Sequence, residues 1–203
     1  MTASLTLLPS SNPALGFRVA FQGERGAYGD LAIDRLWGPH AQRFSHRDFI
    51  GVVHAVSSGS ADFGVLPVHN VIMGPIAGAR AALAGASVVV EGHVDIAVRH
   101  CVLGIPGTRI EEVRRVYSHM AALGQCTRLI AERRFVAVPH YDTAGAARHV
   151  ARRGDRTEAA IASEECAPRY GLSVLLRGVS DLEENRTRFV VVKRGPRQAP
   201  NAG

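Results

Sequence analysis

Short apolar runs alternate with segments of helical periodicity along most of this chain. The first run, residues 17–21, predicts a strand, and after it Tyr28, Ala32 and Leu36 share one face of a predicted helix that Gly38 ends. Further strands are predicted at 63–66, 87–90, 94–103, 115–118, 134–138, 159–162, 172–176 and 189–193. Further helices are predicted at 49–58, 76–84, 109–114, 120–132, 143–153 and 164–170. This alternation favours α/β layers with mainly parallel sheets.

Short polar residues and glycines mark the ends of several of these elements. Asp48 is the predicted N-cap of the second helix, and Gly59 is its predicted end. Asp142 or Thr143 is expected to cap the alanine-rich helix that runs to about residue 153. Pro67 is expected to end the strand in front of it.

The order of the elements indicates two lobes. The strand at 94–103 is long enough to cross from one lobe to the other, and the last strand is expected to return to the first lobe. We therefore expect a first α/β lobe at 17–95 plus 178–194 and a second at 96–177. Residues 1–16 and 195–203 are rich in Ser, Pro, Asn and Gly and are expected to form a flexible arm and a flexible tail.

Composition narrows the class of protein. The 203 residues are 46% hydrophobic, which is enough to bury one good core or two small ones around a cleft. The net charge of +6 comes almost entirely from arginine, since Lys193 is the only lysine, and no basic run interleaves with aromatic residues. We therefore expect no nucleic-acid partner. A positive cleft would instead attract small anions.

Other features of the sequence narrow the location and the chemistry. The three cysteines are widely spaced and form no CxxC pair, which indicates neither a disulfide framework nor a zinc site but a reducing, cytoplasmic compartment. Residues 1–16 show no signal-peptide pattern, and no apolar run approaches the length of a membrane span. We expect no metal and no membrane partner.

Two segments place polar residues or glycines after strands. Between residues 23 and 28, glycines would let backbone N–H groups approach an anion at a helix N-terminus, although an ordinary tight turn needs the same residues. His69 and Asn70 follow the strand that begins at residue 63, at the strand end where α/β folds bind ligands. A loop histidine without a further role is the alternative there.

Two later segments are similar in kind. Ser118 can cap the helix that carries Gln125 two turns along, and capping alone would explain it. Residues 185–189 are polar where they enter an apolar strand, which solvated arginines at a strand start would also explain. No known Ser-His-Asp order, HExxH motif or metal-binding carboxylate cluster is present. None of the four segments decides a function by itself.

Taken together and in this order, the segments resemble the prephenate dehydratase family over residues 17–193. The matching segments are 21–28 (FQGERGAY), 62–67 (DFGVLP), 117–119 (YSH) with 125–126 (QC), 142–147 (DTAGAA), 160–163 (AIAS) and 187–189 (TRF). The resemblance implies two α/β lobes like those of a type 2 periplasmic binding protein, with helices on both faces of the sheets and a central cleft. It implies a carbon–oxygen lyase of phenylalanine biosynthesis that needs no cofactor.

The resemblance also assigns a substrate and residue roles. A small dicarboxylate, prephenate or its analogue arogenate, would lose CO2 and water to give phenylpyruvate or phenylalanine. Hydroxide is a poor leaving group, so a donor must protonate it, and the family's TRF threonine has that role, which falls here on Thr187. His69 and Asn70 complete the implied catalytic group. The implied substrate-binding residues are Gly26, Ala27, Tyr28, Asn70, Val71, Ser118, His119, Gln125, Thr143, Arg188 and Phe189.

The chain departs from the family pattern at one motif in particular. His69 and Val71 stand where the family usually has the glutamate and the serine of Glu-Asn-Ser, while Asn70 is kept. Replacing a carboxylate by imidazole changes local charge and neighbouring pKa values. Two alternatives therefore stay open: a prephenate decarboxylase of secondary metabolism that does not aromatise its substrate, against which Thr187 argues, and a non-catalytic small-anion binding protein.

The resemblance further implies a homodimer or homotetramer. Many members continue into an ACT domain that senses phenylalanine, and no such segment follows the TRF triplet here. Feedback through an ACT domain of this chain is therefore not expected.

Overall fold

The computed structural model describes residues 16–196, and the predicted arm and tail lie outside them except for residues 16, 195 and 196. The strands are β1 (Phe17–Gln22), β2 (Ala41–His46), β3 (Phe63–Asn70), β4 (Gly74–Pro75), β5 (Val88–Ala97), β6 (Cys101–Gly104), β7 (Arg115–Ser118), β8 (Val136–Pro139), β9 (Glu158–Ala162), β10 (Ser173–Arg177) and β11 (Arg186–Arg194). The helices are α1 (Tyr28–Trp37), α2 (Phe49–Ser58), α3 (Ala77–Leu83), α4 (Met120–Leu123), α5 (Thr127–Glu132), α6 (Thr143–Arg153) and α7 (Cys166–Tyr170), with short 3₁₀ turns at Gly38–His40 and Ile110–Glu112.

The strands form two sheets. The first has the order β2-β1-β3-β11-β5, with β4 paired to β3, and the second has the order β10-β6-β9-β7-β8. The first sheet thus uses residues 17–97 and 186–194, and the second uses 101–177. The predicted α/β class with two sheets is confirmed. The lobe boundaries drawn from the sequence stay a prediction.

The sheets are mixed, which corrects the expectation of mainly parallel strands. Among the described residues, β1 pairs in parallel with β2 and β3, and β7 pairs in parallel with β8 and β9. The long strands β5 and β11 run antiparallel to each other, and β11 runs antiparallel to β3. After the last strand of the second sheet, β11 returns to the first sheet. It lies there between β3 and β5 and runs in the opposite direction to both.

Both faces of each sheet are covered, which explains why its central strands are apolar throughout. In β1, Val19 and Phe21 pack towards α1 while Ala20 packs towards α2, and all three are fully buried. In β9 every residue is buried, since one face packs on α6 and the other on α5. Successive strand residues point to opposite faces, so a strand covered on both faces needs apolar residues at every position.

Several predicted boundaries differ from the structure for identifiable reasons. β3 continues through Pro67 to Asn70, because a register shift in its pairing with β11 accommodates a residue that cannot donate a ladder hydrogen bond. The predicted strand 94–103 is two strands of different sheets, separated at residues 98–100. The predicted helix 120–132 divides at Gly124 into α4 and α5, and the predicted helix 109–114 is one 3₁₀ turn. β2 was not predicted because it is a largely exposed edge strand with little apolar pattern.

Candidate active site

A cavity of about 550 Å³ lies where elements of the two sheets face each other. The first sheet and its helices contribute Tyr28, Val65, Pro67, Asn70, Thr187 and Phe189, and the second contributes His119, Gln125, Tyr141, Asp142 and Thr143. Mixed apolar walls with a few convergent polar groups are typical of small-molecule sites. This cavity is the candidate site.

The pairing of β11 with β3 decides which polar residues enter this cavity. Thr187 lies directly opposite Asn70, and Arg188 lies opposite His69. Successive residues of a strand alternate between faces, so Thr187 and Asn70 share the cavity face. Arg188 is instead exposed and forms a bidentate ion pair with Asp95 of β5, at 2.8 and 2.9 Å. Arg188 thus lies outside the cavity, and its predicted contact with substrate is not supported by this position.

Asn70 is the centre of a buried hydrogen-bond chain. Its Nδ2 donates to Thr187 Oγ1 at 2.9 Å and to Asn185 Oδ1 at 2.7 Å. Its Oδ1 accepts from the backbone N–H groups of Ile72 and Met73, at 3.0 Å each. Backbone N–H groups can only donate, so this side-chain amide has a single orientation. Thr187 Oγ1 must then accept from Asn70, which leaves the threonine proton free to point into the cavity.

This chain of hydrogen bonds continues from Asn185 to the other side of the cavity. Asn185 Nδ2 donates to Gln125 Oε1 at 2.9 Å, and His100 Nε2 lies 3.1 Å from the same oxygen. Tyr28 Oη lies 3.1 Å from His100 Nδ1 and 2.8 Å from the carbonyl oxygen of Arg99, and its one proton can be donated to either of them. Burial lowers the pKa of His100 to about 4, against an opposing effect of its bond to Gln125. His100 is therefore neutral near pH 7.

Two members of this chain were not among the predicted site residues. Asn185 falls within the polar segment 185–189, and its spacing of two from Thr187 puts both side chains on one face of an extended backbone. His100 falls within the predicted strand 94–103 and has no motif around it. Only the crossing between the two sheets brings it next to Gln125, so local sequence carried no signal for it.

The loop at residues 23–27 does not offer its backbone as an anion site. The N–H groups of Gly23, Glu24, Gly26 and Ala27 donate to His46 O, Asp142 Oδ2, Asp30 Oδ2 and Glu24 O respectively. With these donors occupied, the predicted contact of Gly26 with substrate is not supported by its position, since Gly26 does not line the cavity. Ala27 and Tyr28 do line it, at the N-terminus of α1, where no side chain caps the helix.

The Tyr-Ser-His segment is used differently from the prediction. Ser118 is fully buried and donates to Ile161 O within the second sheet, so it neither caps α4 nor reaches the cavity. His119 is the N-cap of α4, where its Nδ1 accepts from Ala121 N, and it lines the cavity. Thr143 also lines it, at the start of α6, and Asp142 caps that helix by accepting from Ala144 N at 3.3 Å.

His69 and Val71, the departures from the Glu-Asn-Ser motif, lie outside the cavity. His69 is exposed on the opposite face of β3, beside Arg80 and Val90, and Val71 is 55% exposed. The proposed catalytic role of His69 and the proposed contact of Val71 with substrate are therefore not supported by their positions. Strand alternation is the reason, since it sends Asn70 inward and His69 outward.

The mouth of the cavity carries charge. Arg47 lines it, and its guanidinium forms no ion pair with any residue from 16 to 196. Its neighbour Asp48 caps α2 by accepting from Gly51 N at 2.7 Å. A free cation at the rim suits an anionic ligand.

The described part of the chain contains no group of His, Cys, Asp or Glu side chains able to hold a metal ion. Its three cysteines are buried and unpaired, and burial raises the pKa of Cys126 and Cys166 to about 12. Between residues 16 and 196, no helix has the length and apolar character needed to cross a membrane.

Comparison with known proteins gives consistent matches. The family model described as prephenate dehydratase matches residues 19–197. Over 179 residues the chain is 37% identical to an Arabidopsis thaliana protein named arogenate dehydratase/prephenate dehydratase 2, chloroplastic, covering 88% of this chain and 47% of that protein. Over 185 residues it is 36% identical to a Komagataeibacter europaeus protein named bifunctional N-acyl-homoserine lactone acylase/prephenate dehydratase, covering 91% and 66%.

Solved structures agree on the fold. A structure described as GqqA, a novel type of quorum quenching acylase, matches with a TM-score of 0.79 and 35% identity, covering 92% of this chain and 67% of that one. A structure described as prephenate dehydratase in complex with L-Phe from Arthrobacter aurescens matches with a TM-score of 0.81 and 24% identity, covering 92% and 63%. The chain thus spans about half to two thirds of the relatives that it matches.

Proposed function

The chain belongs to the prephenate dehydratase family, and from that premise we propose that it is a lyase acting on prephenate or arogenate. The ring carboxylate leaves as CO2, its bonding electrons form a ring double bond, and the 4-hydroxyl leaves as water. The product is phenylpyruvate from prephenate or phenylalanine from arogenate. The recovered aromaticity drives the reaction, so that positioning and one proton donor are the main requirements.

The orientation of Thr187 is the observation that carries this proposal. Because Oγ1 accepts from Asn70, the hydroxyl proton stays free, and from the cavity wall it can be donated to the departing oxygen. Water and an aliphatic alcohol are similarly weak acids, so this transfer is nearly balanced in energy. Solvent then returns a proton to the threonine.

Donors around the cavity suit a dicarboxylate. Gln125 lines it, and so do Tyr28 and Gly29, whose backbone N–H groups belong to the uncapped first turn of α1. Arg47 adds a positive charge at the rim. Apolar contacts from Val65, Pro67 and Phe189 suit the ring. We propose no cofactor, since the reaction requires neither redox chemistry nor a metal.

The test is incubation with prephenate and, separately, with arogenate, following aromatic absorbance and CO2. An aromatic product with CO2 from either substrate is the expected result. CO2 without an aromatic product would replace the proposal with a non-aromatising decarboxylase. Binding without either product would leave a small-anion binding protein. The decarboxylase alternative rested on His69 and Val71, which lie outside the cavity.

We further propose that the protein works in the cytoplasm and assembles as a homodimer or homotetramer. Three buried, unpaired thiols support a reducing compartment, and membership of the family supports the assembly. Light scattering coupled to size-exclusion chromatography measures the mass directly, and a mass near 21.7 kDa would contradict the oligomer.

A further inference from the structure

We propose that His100 is a positioning residue of this cavity: as the Nε2–H tautomer it holds Gln125 Oε1 and thereby turns the Gln125 amide nitrogen towards the ligand. The inference concerns the same cavity as the proposed function, and its kinetic part rests on that function. Its structural part, the state of the imidazole, does not.

The orientations of the three side-chain amides in this hydrogen-bond series, Asn70, Asn185 and Gln125, follow from the backbone contacts of Asn70. Ile72 N–H and Met73 N–H both donate to Asn70 Oδ1, so Asn70 Nδ2 must face Asn185. The atom of Asn185 that meets this donor must be its oxygen. Asn185 Nδ2 is then the atom that faces Gln125, and it requires an oxygen there. No amide in this series can be reversed without placing two donors against each other.

The tautomer of His100 follows from the same deduction. Gln125 Oε1 is an acceptor, and His100 Nε2 lies 3.1 Å from it, so this nitrogen must carry a proton. The opposite tautomer would set two lone pairs against each other. Nδ1 is then the acceptor, so the hydroxyl of Tyr28, 3.1 Å away, must donate its one proton there rather than to the carbonyl of Arg99. His100 lines the cavity but is only 2% exposed, and both of its ring nitrogens face protein partners, Gln125 and Tyr28.

The consequence concerns Gln125 rather than His100. With Oε1 accepting from both His100 and Asn185, both lone pairs of the oxygen are occupied on the protein side. Gln125 Nε2 has no acceptor among residues 16–196, and the residue lines the cavity. Its two protons are thus available to a carboxylate oxygen of the ligand. A reversed amide would present an oxygen there and repel that carboxylate.

The first experiment measures the imidazole. Long-range ¹H–¹⁵N spectra of protein labelled with ¹⁵N-histidine distinguish the two tautomers and the imidazolium. His100→Gln identifies the His100 signals by their loss, and His93→Gln, on the exposed part of β5, removes a different set. We expect the Nε2–H tautomer from pH 5.5 to pH 8, and we expect the Nε2 resonance to move in Gln125→Met. An Nδ1–H tautomer or an imidazolium at pH 7 would overturn the inference.

The second experiment measures what His100 does for Gln125. A glutamine at position 100 can place its Nε2 donor near that of histidine, whereas leucine cannot. We expect His100→Leu to raise KM about five- to tenfold with kcat within twofold, as expected for a contact equally strong in the ground and transition states. His100→Gln should restore most of the loss, and His93→Gln should change nothing.

A double-mutant cycle separates positioning from a general structural effect. In a Gln125→Met background, His100→Leu should add no more than about twofold to KM, because the residue through which it acts is gone. A full additional five- to tenfold rise in KM in that background would show that His100 does not act through Gln125. A KM for His100→Gln as high as that for His100→Leu would show the same. If wild type turned over neither substrate, the proposed function would fail while the spectra still decided the state of His100.

Discussion

Thr187 and Arg188 are adjacent in the sequence, yet one enters the cavity and the other forms an ion pair on the opposite face of β11. The same alternation separates Asn70 from His69 on the partner strand. Motif recognition found these segments, but it could not say which residues of each point inward. Where local alternation was available, as for Asn185 beside Thr187, the sequence contained the answer. For His100 and Gln125 it did not, because their contact depends on how two sheets meet.

Replacing Thr187 by valine tests the proton donor with little change in volume. We expect kcat to fall about 10²- to 10⁴-fold, the usual contribution of a positioned general acid. Thr187→Ser keeps a hydroxyl within reach of Asn70 and should retain most activity. Thermal unfolding should show that both variants fold, since Asn70 Nδ2 keeps its bond to Asn185. Unchanged turnover in the valine variant would exclude Thr187 as the donor.

His69→Glu restores the residue that the family usually has, and the structure makes a clear prediction for it. Because His69 is exposed on the face of β3 away from the cavity, we expect kcat and KM to stay within about twofold of wild type. The matched variant Asn70→Asp alters the neighbouring residue on the inner face and should impair turnover strongly. A large gain of activity in His69→Glu would show that this side chain influences the cavity after all.

The buried imidazole of His100 also predicts how stability depends on pH. Its pKa is about 4 in the folded protein and near 6.5 when unfolded, so between these values the unfolded chain binds the proton and the native state does not. The contribution of His100 to stability is therefore present above about pH 6.5 and is lost as the pH falls towards 4. The loss between pH 7 and pH 5 should be about 2 kcal/mol.

Urea unfolding of wild type and His100→Gln at both pH values isolates this effect. Carboxylates such as Asp62 and Asp95, whose pKa values are lowered by ion pairs with arginines, contribute equally to both proteins. The variant should lose less stability than wild type on acidification. Equal losses would mean that His100 titrates normally in the folded state.

At the level of elements, capped and apolar segments were predicted well and exposed or interrupted ones were not. Asp48 and Gly59 bound α2 as expected, because a side-chain cap and a left-handed glycine act within one turn. The strand at 94–103 was predicted as one element, since apolar residues lie on both sides of the crossing at 98–100 and no glycine or proline marks where the chain changes sheets. The directions of β5 and β11 were equally hidden, because strand direction depends on which neighbour each strand finds.

The loop between β1 and α1 gives a prediction at this level. Gly26 has φ +92°, and a Cβ there would lie 2.9 Å from Cys166 Sγ, at the buried contact between the loop and α7. Gly26→Ala should therefore lower the free energy of unfolding by about 2 kcal/mol or more, through backbone strain and overpacking together.

Gly85→Ala is the matched control for this variant. Gly85 also has a positive φ, of +73°, but a Cβ there would meet nothing within 4 Å. It should cost only the strain, about 1 kcal/mol. Chemical denaturation of both variants measures the difference, and equal destabilisation would show that the contact with Cys166 is not tightly packed.

In the molecule as a whole, the two sheets are linked by more than the chain crossings. The loop at 23–27 projects from the first sheet and is held by the second: Glu24 N donates to Asp142, Ser163 Oγ donates to Gly26 O, and Tyr170 Oη donates to Arg25 O. At the edge of the cavity, the carboxylate of Glu24 accepts from Tyr141 Oη at 2.7 Å and from Arg148 at 3.0 Å. These contacts hold the two walls of the cavity together.

Arg148→Met tests how much the ion pair between Arg148 and Glu24 contributes to holding the two walls of the cavity together. Arg148 is about one third exposed, so the pair should contribute no more than about 1 kcal/mol. Amide hydrogen exchange of residues 23–27 should then become up to about fivefold faster, and KM should rise by a similar factor while kcat changes little. The matched control is Arg152→Met, which replaces an exposed arginine on the same helix and should leave both the exchange rate and KM unchanged.

Because salt screens a partly exposed pair, the differences in exchange rate and KM between the two variants should shrink at high ionic strength. Faster exchange without a change in KM would separate the docking of the loop from ligand binding, whereas unchanged exchange would show that the neutral hydrogen bonds from Ser163 and Tyr170 hold the loop without help from the ion pair.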